Sequence, residues 1–230
     1  MIYNIAVFKI IIKKIFIYFN LYFFFPKDLV TQFKNFKKIN VYNCKNVIDI
    51  GANSGNWSLL FKSLFKNSNF FLIEADNFHL EKIKLVSRNY YIGALFSKIK
   101  NTYFFYSRKF GGTGNSLYKE NSSIIFKKKN ITTITLDKVL KIHFNKSKYD
   151  LIKLDTQGSE LDILMGAKKT LKRTKMIICE IQIFRYSNNK VNYFEIFSFL
   201  NKYGFKLKSI LNEYYKFNNL IHIDCLFIKK

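Results

Sequence analysis

The chain has 230 residues, 49% of them apolar, enough for one ordinary α/β domain with a modest N-terminal extension. Its net charge of +24 suggests nucleic acid or an anionic membrane, but four of the 39 basic residues are Arg (Arg88, Arg108, Arg173, Arg185), leaving 35 Lys. That skew, with one Pro and many Phe and Tyr, is what an AT-rich coding sequence gives; the better bidentate phosphate reader is scarce, so a dedicated nucleic-acid surface is disfavoured.

The first 25 residues are apolar but carry Lys9, Lys13, Lys14 and Asn20, and their longest charge-free run, Ile15–Phe25, is eleven residues, short for a bilayer span. No small-residue cleavage site precedes Pro26. Residues 1–40 therefore form a helical extension. One reading lays it on an anionic membrane as a basic amphipathic helix; the other, slightly favoured, packs it on the domain or on a second subunit. After Pro26 the polar stretch Lys27–Lys38 suits a short exposed helix or linker.

Residues 41–230 make the main domain, where strand and helix patterns alternate. Val47–Ile50 predicts a strand, Asn56–Phe65 a helix with Trp57, Leu60, Phe61 and Leu64 on one face, and Phe70–Ile73 a second strand running into Glu74. A helix over Asn77–Arg88 and a third strand over Tyr90–Phe96 follow. Thr102–Tyr106 is extended, Gly111–Ser116 a polar loop suited to a substrate lid, and Ile131–Thr135 leads to a helix at Leu136–His143. Tyr149–Leu154 is a buried strand ending at Asp155. Gly158–Lys172 then reads as one helix, Met176–Ile181 as a strand carrying Glu180, Val191–Tyr203 as a helix, and Phe205–Ile210 with Leu220–Ile228 as a terminal hairpin. Such units predict a mostly parallel sheet with helices on both faces. Its ligands bind at the carboxyl ends of the strands, where Asp49, Glu74, Asp155 and Glu180 all fall.

Cys44, Cys179 and Cys225 are far apart and odd in number, and His79, His143 and His222 are scattered; neither set gives a disulfide framework or a zinc spacing. The compartment expected is a reducing cytosol. Tyr-x-x-x-Lys pairs at Tyr149/Lys153 and Tyr186/Lys190 invite comparison with short-chain dehydrogenases. About two such pairs arise by chance at this composition, and Tyr149 and Lys153 lie ~13 Å apart along a strand.

The stretch VIDIGANSGNW, Val47–Trp57, identifies the ligand. A dinucleotide turn needs G-x-G-x-x-G, because a pyrophosphate must touch bare backbone. Here Ala52, Asn53 and Ser54 fill the space between Gly51 and Gly55. Asp49 just before the turn repels phosphate and suits an ammonium group. S-adenosyl-L-methionine fits, with its amino-acid end on Gly51, Ala52, Asn53 and Gly55 and its ammonium on Asp49. Glu74, 23 residues after Gly51, suits the ribose hydroxyls, and Ala94 and Leu95 an adenine slot. Asp155, at the end of an apolar strand, is partly desolvated and placed to orient or deprotonate an acceptor hydroxyl. Glu160 reads as a structural acid in a helix first turn.

VIDIGANSGNWS, LIEAD, YDLIKLDTQGSELDILMGAKKTL and MIICEIQ, in that order, resemble the FkbM family of methyltransferases. IKLDTQGSELDILMGA, Ile152–Ala167, is the most specific piece, and the resemblance runs from about Asn46 to the C-terminus. It implies a Rossmann-like class I fold and S-adenosylmethionine-dependent methyl transfer, usually to a hydroxyl oxygen of a sugar, a glycolipid or polysaccharide component, or a natural product. Ala75 stands where such sequences often have Pro. A base amino-methyltransferase would carry Asp/Asn-Pro-Pro-aromatic where this chain has Asp155-Thr156-Gln157-Gly158; RNA ribose 2′-O-methylation remains the alternative.

Overall fold

A computed structural model describes residues 39, 43–108, 114–119, 124–183 and 193–230. The segment 1–25, open to both the membrane-contact and the packing readings, and the polar stretch 27–38 lie outside these residues. Ile39 is helical and buried against Val47 and Phe70, so the domain core already includes part of the predicted extension.

Strand β1 (Asn46–Ile50) leads into helix α1 (Asn56–Leu64), and β2 (Asn69–Glu74) into a 3-10 turn at Asn77–His79 and α2 (Leu80–Val86). Next come β3 (Tyr90–Ile92), β4 (Asn101–Tyr106), β5 (Lys127–Thr132) and α3 (Leu136–His143). The second half holds β6 (Tyr149–Leu154), α4 (Glu160–Met165), α5 (Lys168–Lys172), β7 (Thr174–Gln182), α6 (Tyr193–Lys202), β8 (Phe205–Lys216) and β9 (Asn219–Lys229). Seven strands form one sheet in the order β3-β2-β1-β6-β7-β9-β8, and β4 pairs with β5 in a separate antiparallel ribbon. All pairs from β3 to β7 are parallel, while β9 runs antiparallel to both neighbours. Strand order reverses between β1 and β6, and the crevice for a ligand opens there.

Side-chain alternation along the buried strands divides the core in two. Ile48, Ile50, Ile152, Leu154, Ile177 and Cys179 pack on one face against Leu140, Ile163, Leu164 and Leu200 from α3, α4 and α6. On the other, Val47, Leu151, Met176 and Ile178 meet Leu60 and Phe61 of α1 and Ile83 of α2. Deleting a buried aromatic such as Phe61, which stacks on Phe65 at 4.3 Å between ring centres, costs about 3–5 kcal/mol.

Several predicted elements differ, three of them instructively. The third strand stops at Ile92 because Ala94–Phe96 leave β2 and pair with Ile134 instead: Ile134 N–H donates to the Ala94 carbonyl at 3.1 Å and Phe96 N–H to the Ile134 carbonyl at 2.9 Å. The single helix predicted over 158–172 breaks into α4 and α5 at Gly166, where a Cβ would lie 2.3 Å from the Phe96 carbonyl oxygen; the chain bends to pack its backbone there. The terminal hairpin is longer than predicted, with β8 reaching Lys216.

Candidate functional site

At the carboxyl ends of β1, β2, β6 and β7 lies a cleft of about 450 Å³ lined by Gly51, Asn53, Glu74, Ala94, Leu95, Asp155, Gln157, Glu180 and His222, among others. A second hollow of about 370 Å³ adjoins it, sharing Gly51, Asn53, Asp155 and Tyr214 and adding Ala52, Trp57 and Lys153. Sequence-predicted residues Gly51, Asn53, Glu74, Ala94, Leu95 and Asp155 thus come together, with Ala52 next door.

The bend after β1 uses its own amides. Gly51 and Ala52 N–H donate to the Ile73 carbonyl at 3.0 and 3.1 Å, and Gly55 N–H to the Ala52 carbonyl at 2.8 Å. Asn53 N–H donates to Glu74 Oε2 at 2.7 Å and Ser54 N–H to Asn53 Oδ1 at 2.7 Å. Five successive N–H groups therefore have protein acceptors, and none of these is left for a phosphate. Glu74 is further held by Asp76 N–H on Oε1 at 2.9 Å. Burial pushes its carboxyl up against the pull of the Asp76, Asn53 and Ala75 amides; with two lone pairs on each oxygen, the carboxylate keeps acceptor capacity for the cleft.

Gly51 has φ +75°, and a Cβ on it would sit 1.8 Å from the Asp155 carbonyl oxygen. Only glycine lets the end of β6 lie against the bend. Gly55 has another place: it caps α1 at φ +76°, where a Cβ would meet Val86 Cγ2 at 2.9 Å, and it lies outside the lining of both hollows.

Asp49 also lies behind the cleft. It is fully buried, accepts from Ser58 Oγ at 2.7 Å and faces Lys153 Nζ at 3.4 Å. The ammonium that sequence reasoning expected from a ligand is supplied by the chain itself. Lys153 Nζ also donates to Asp155 Oδ2 at 3.2 Å, with 10% of its side chain exposed. Burial opposes its charge, but Asp155 and Asp49 outweigh that and hold it above the ordinary lysine range. Tyr149, its partner in the dehydrogenase-like pair, is buried and donates to the Phe144 carbonyl at 2.9 Å.

Asp155 keeps 38% of its side chain exposed. Its Oδ1 accepts from Gln157 Nε2 at 3.1 Å, and that nitrogen lies 3.2 and 3.3 Å from the two oxygens of Glu180. Burial works to raise the Asp155 carboxyl, yet Lys153 and Gln157 bring it below the ordinary carboxylate range. Burial drives Glu180 well upward, reinforced by Asp155, Glu160 and Asp224. Glu160 accepts from Thr156 N–H at 2.7 Å and Gly158 N–H at 2.9 Å, the structural acid expected of it.

Lys153, Gln157, Tyr214, His222 and Asp224 were missed. One face of the sheet shows the signal that could have found three of them: its apolar rows end in polar groups as Val47 gives way to Asp49, Leu151 to Lys153, Ile178 to Glu180, and Leu226 to Asp224 and His222. Asn115 and Ser116 of the lid-like loop do line the cleft. Asn115 Nδ2 donates to the buried Asp76 at 2.9 Å, beside Arg108 on the same carboxylate, and Ser116 Oγ to the Gln157 carbonyl at 2.8 Å. Gly111 to Thr113 lie outside the described residues.

A sheet with one antiparallel strand inserted near its edge, a glycine bend after β1 and a cleft-lining acid at the end of β2 define a Rossmann-like class I methyltransferase. The chain belongs to the FkbM methyltransferase family: the Methyltransferase FkbM domain matches residues 49–207. S-adenosylmethionine is its cofactor. Among solved structures it is similar to the N-terminal domain of EvdMO1 with SAH bound (TM-score 0.51, 8% identity, 87% of this chain and 81% of that one). Others are magnesium protoporphyrin IX methyltransferase from Synechocystis PCC 6803 with bound SAM (0.48, 7%, 87% and 81%) and precorrin-6y C5,15-methyltransferase from Geobacter metallireducens GS-15 (0.48, 14%, 86% and 87%). At these identities the likeness is one of fold. No curated protein matches the sequence.

Proposed function

We propose that the protein transfers the methyl group of S-adenosylmethionine to a hydroxyl oxygen of a sugar, a glycan or lipopolysaccharide component, or a natural product. The observation that carries the cofactor part is the saturated glycine bend beside Glu74: five occupied amides leave no cradle for a pyrophosphate, while the free lone pairs of Glu74 suit a ribose diol. Asn53, Gly51 and Ala52 line the methionine end, Ala94 and Leu95 the adenine, and Asp49 acts from behind by fixing Lys153 and the bend. The cofactor supplies an electrophilic methyl on a sulfonium. Catalysis then consists of holding acceptor and methyl at attack distance, and Asp155, ionised and open to the cleft, accepts the hydrogen bond that orients the hydroxyl.

Ribose methylation of RNA is the second reading, favoured by the net charge of +24. Against it, the described lining of the main cleft contains Glu74, Asp155 and Glu180 and no Lys or Arg, a poor path for a phosphodiester. The first test is thermal stabilisation. S-adenosylhomocysteine at about 100 times its dissociation constant contributes about 2.7 kcal/mol and raises the melting temperature by roughly 5–10 °C, with NAD giving no shift; the reverse result removes the reading. Mass spectrometry of cell-envelope sugars from cells with and without the protein then seeks a 14 Da increment (one added CH₂, roughly, by mass), and salt-sensitive RNA binding would favour the alternative.

A further inference from the structure

Asp155 orients a hydroxyl well but stores its proton badly. Both its oxygens are engaged, by Lys153 and by Gln157, and both donors favour the ionised form. The proton released when an alcohol is methylated needs another place on the same wall.

We infer that His222, backed by Glu180, takes that proton. This rests on the reading of the cleft as a methyl-transfer site. His222 is on β9 opposite Gln182, one strand from Glu180, and both line the cleft with Asp155. Its Nε2 lies 3.7 Å from Glu180 Oε2, and 20% of the side chain is exposed. The ring packs on Tyr214 with centroids 4.1 Å apart. Nδ1 is buried with no hydrogen-bond partner among the described residues, so the ring lacks the fixed bond that a purely structural histidine makes at a buried nitrogen.

The charged and titratable groups around it are Asp155 at the end of β6, Glu180 on β7, Tyr214 on β8 and Asp224 on its own strand, with Lys153 deeper in β6. Burial lowers the imidazole below its ordinary value against the pull of Asp155, while burial raises Glu180. Two groups pushed toward each other from opposite sides are suited to exchanging a proton. In the step, the acceptor oxygen bonds to the methyl carbon, and the C–S pair returns to sulfur. The hydroxyl proton passes to Nε2. The positive charge lost at sulfur reappears on the imidazole beside Glu180, so the net charge within the cleft is unchanged.

The test needs no acceptor. The chain has three histidines, so imidazole NMR resonances can be assigned and titrated in the free protein and in its S-adenosylmethionine and S-adenosylhomocysteine complexes. These ligands differ by the methyl and its positive charge. If His222 faces that charge, its midpoint is lower with S-adenosylmethionine by about half a unit or more, the size expected of one charge several ångströms away. His143, which packs on Tyr91 outside the cleft lining, stays in place. Glu180→Gln lowers the His222 midpoint in both complexes. Equal His222 midpoints in the two complexes, with calorimetry showing both ligands bound, overturn the assignment. Failure of either ligand to bind removes the cofactor reading and the inference with it. The wild-type comparison stands even if Glu180→Gln does not fold.

Discussion

The two halves of the cleft hold their carboxylates by different means. On the β1–β2 side, Glu74 is fixed by main-chain amides, those of Asn53 and Asp76. On the β6–β7–β9 side, Asp155 and Glu180 are fixed by side chains, namely Lys153, Gln157 and His222. Main-chain donors cannot rotate away or change protonation, so the first half is a preformed wall, suited to the binding role proposed for it. Side-chain networks in a low-dielectric site can shift protons and charge, which suits the half where bonds change. The proposed function thus puts binding and reaction on opposite sides of the strand-order switch.

That division can be broken most forcibly at its seam. Gly51→Ala combines a positive φ with a Cβ 1.8 Å from the Asp155 carbonyl; a loss of ~4 kcal/mol or more in chemical denaturation is expected, and near-native stability would show that the two sides do not abut. Lys153→Met strands Asp49 and Asp155 without their cation and costs about 3 kcal/mol. Adding Asp49→Asn recovers part of that; no recovery in the double variant contradicts the pairing. Asp155→Asn lowers turnover on an identified acceptor by about 100-fold, or ~2.7 kcal/mol, with less than about threefold change in S-adenosylhomocysteine affinity by calorimetry. Equal loss of both would move Asp155 to the binding side.

Glu74→Gln does the opposite, weakening S-adenosylhomocysteine by about 10- to 30-fold, an effect measured by the same titration. The most gradual effect is on pH. Burial pushes Glu160 up to about 7 from an ordinary 4.5, so the folded chain binds its proton more tightly than the unfolded one. Its contribution is complete below pH 4.5 and is lost as pH rises through 7. Urea midpoints should therefore decline over that window by an amount worth up to about 3 kcal/mol, and Glu160→Gln should flatten the decline.

Elements whose pattern is decided locally were legible. The limits of β6 and α3 match those expected, because an apolar run and a Thr135 cap accepting from Lys138 N–H are visible in the sequence. The glycine bend, Glu74 and Asp155 were legible for the same reason, each standing at the end of an apolar strand. The break in the 158–172 helix was not, since it answers to Phe96, some 70 residues earlier (roughly, by sequence separation). Nor was the His222–Glu180 pair, which exists only once β9 is laid antiparallel on β7 in its observed register. Asp49 was matched to a ligand's ammonium because it is a strand-end acid; that Lys153 of β6 faces it at 3.4 Å appears only once β1 and β6 are paired.

The contact between Gly51 and the Asp155 main chain has a mechanical meaning. Between them stands no side chain that could swivel to absorb a displacement, so a shift of the bend by a few tenths of an ångström is handed directly to the residue proposed to aim the incoming oxygen. On the proposed reading, seating the nucleoside and aiming the acceptor are one motion of a common rigid piece.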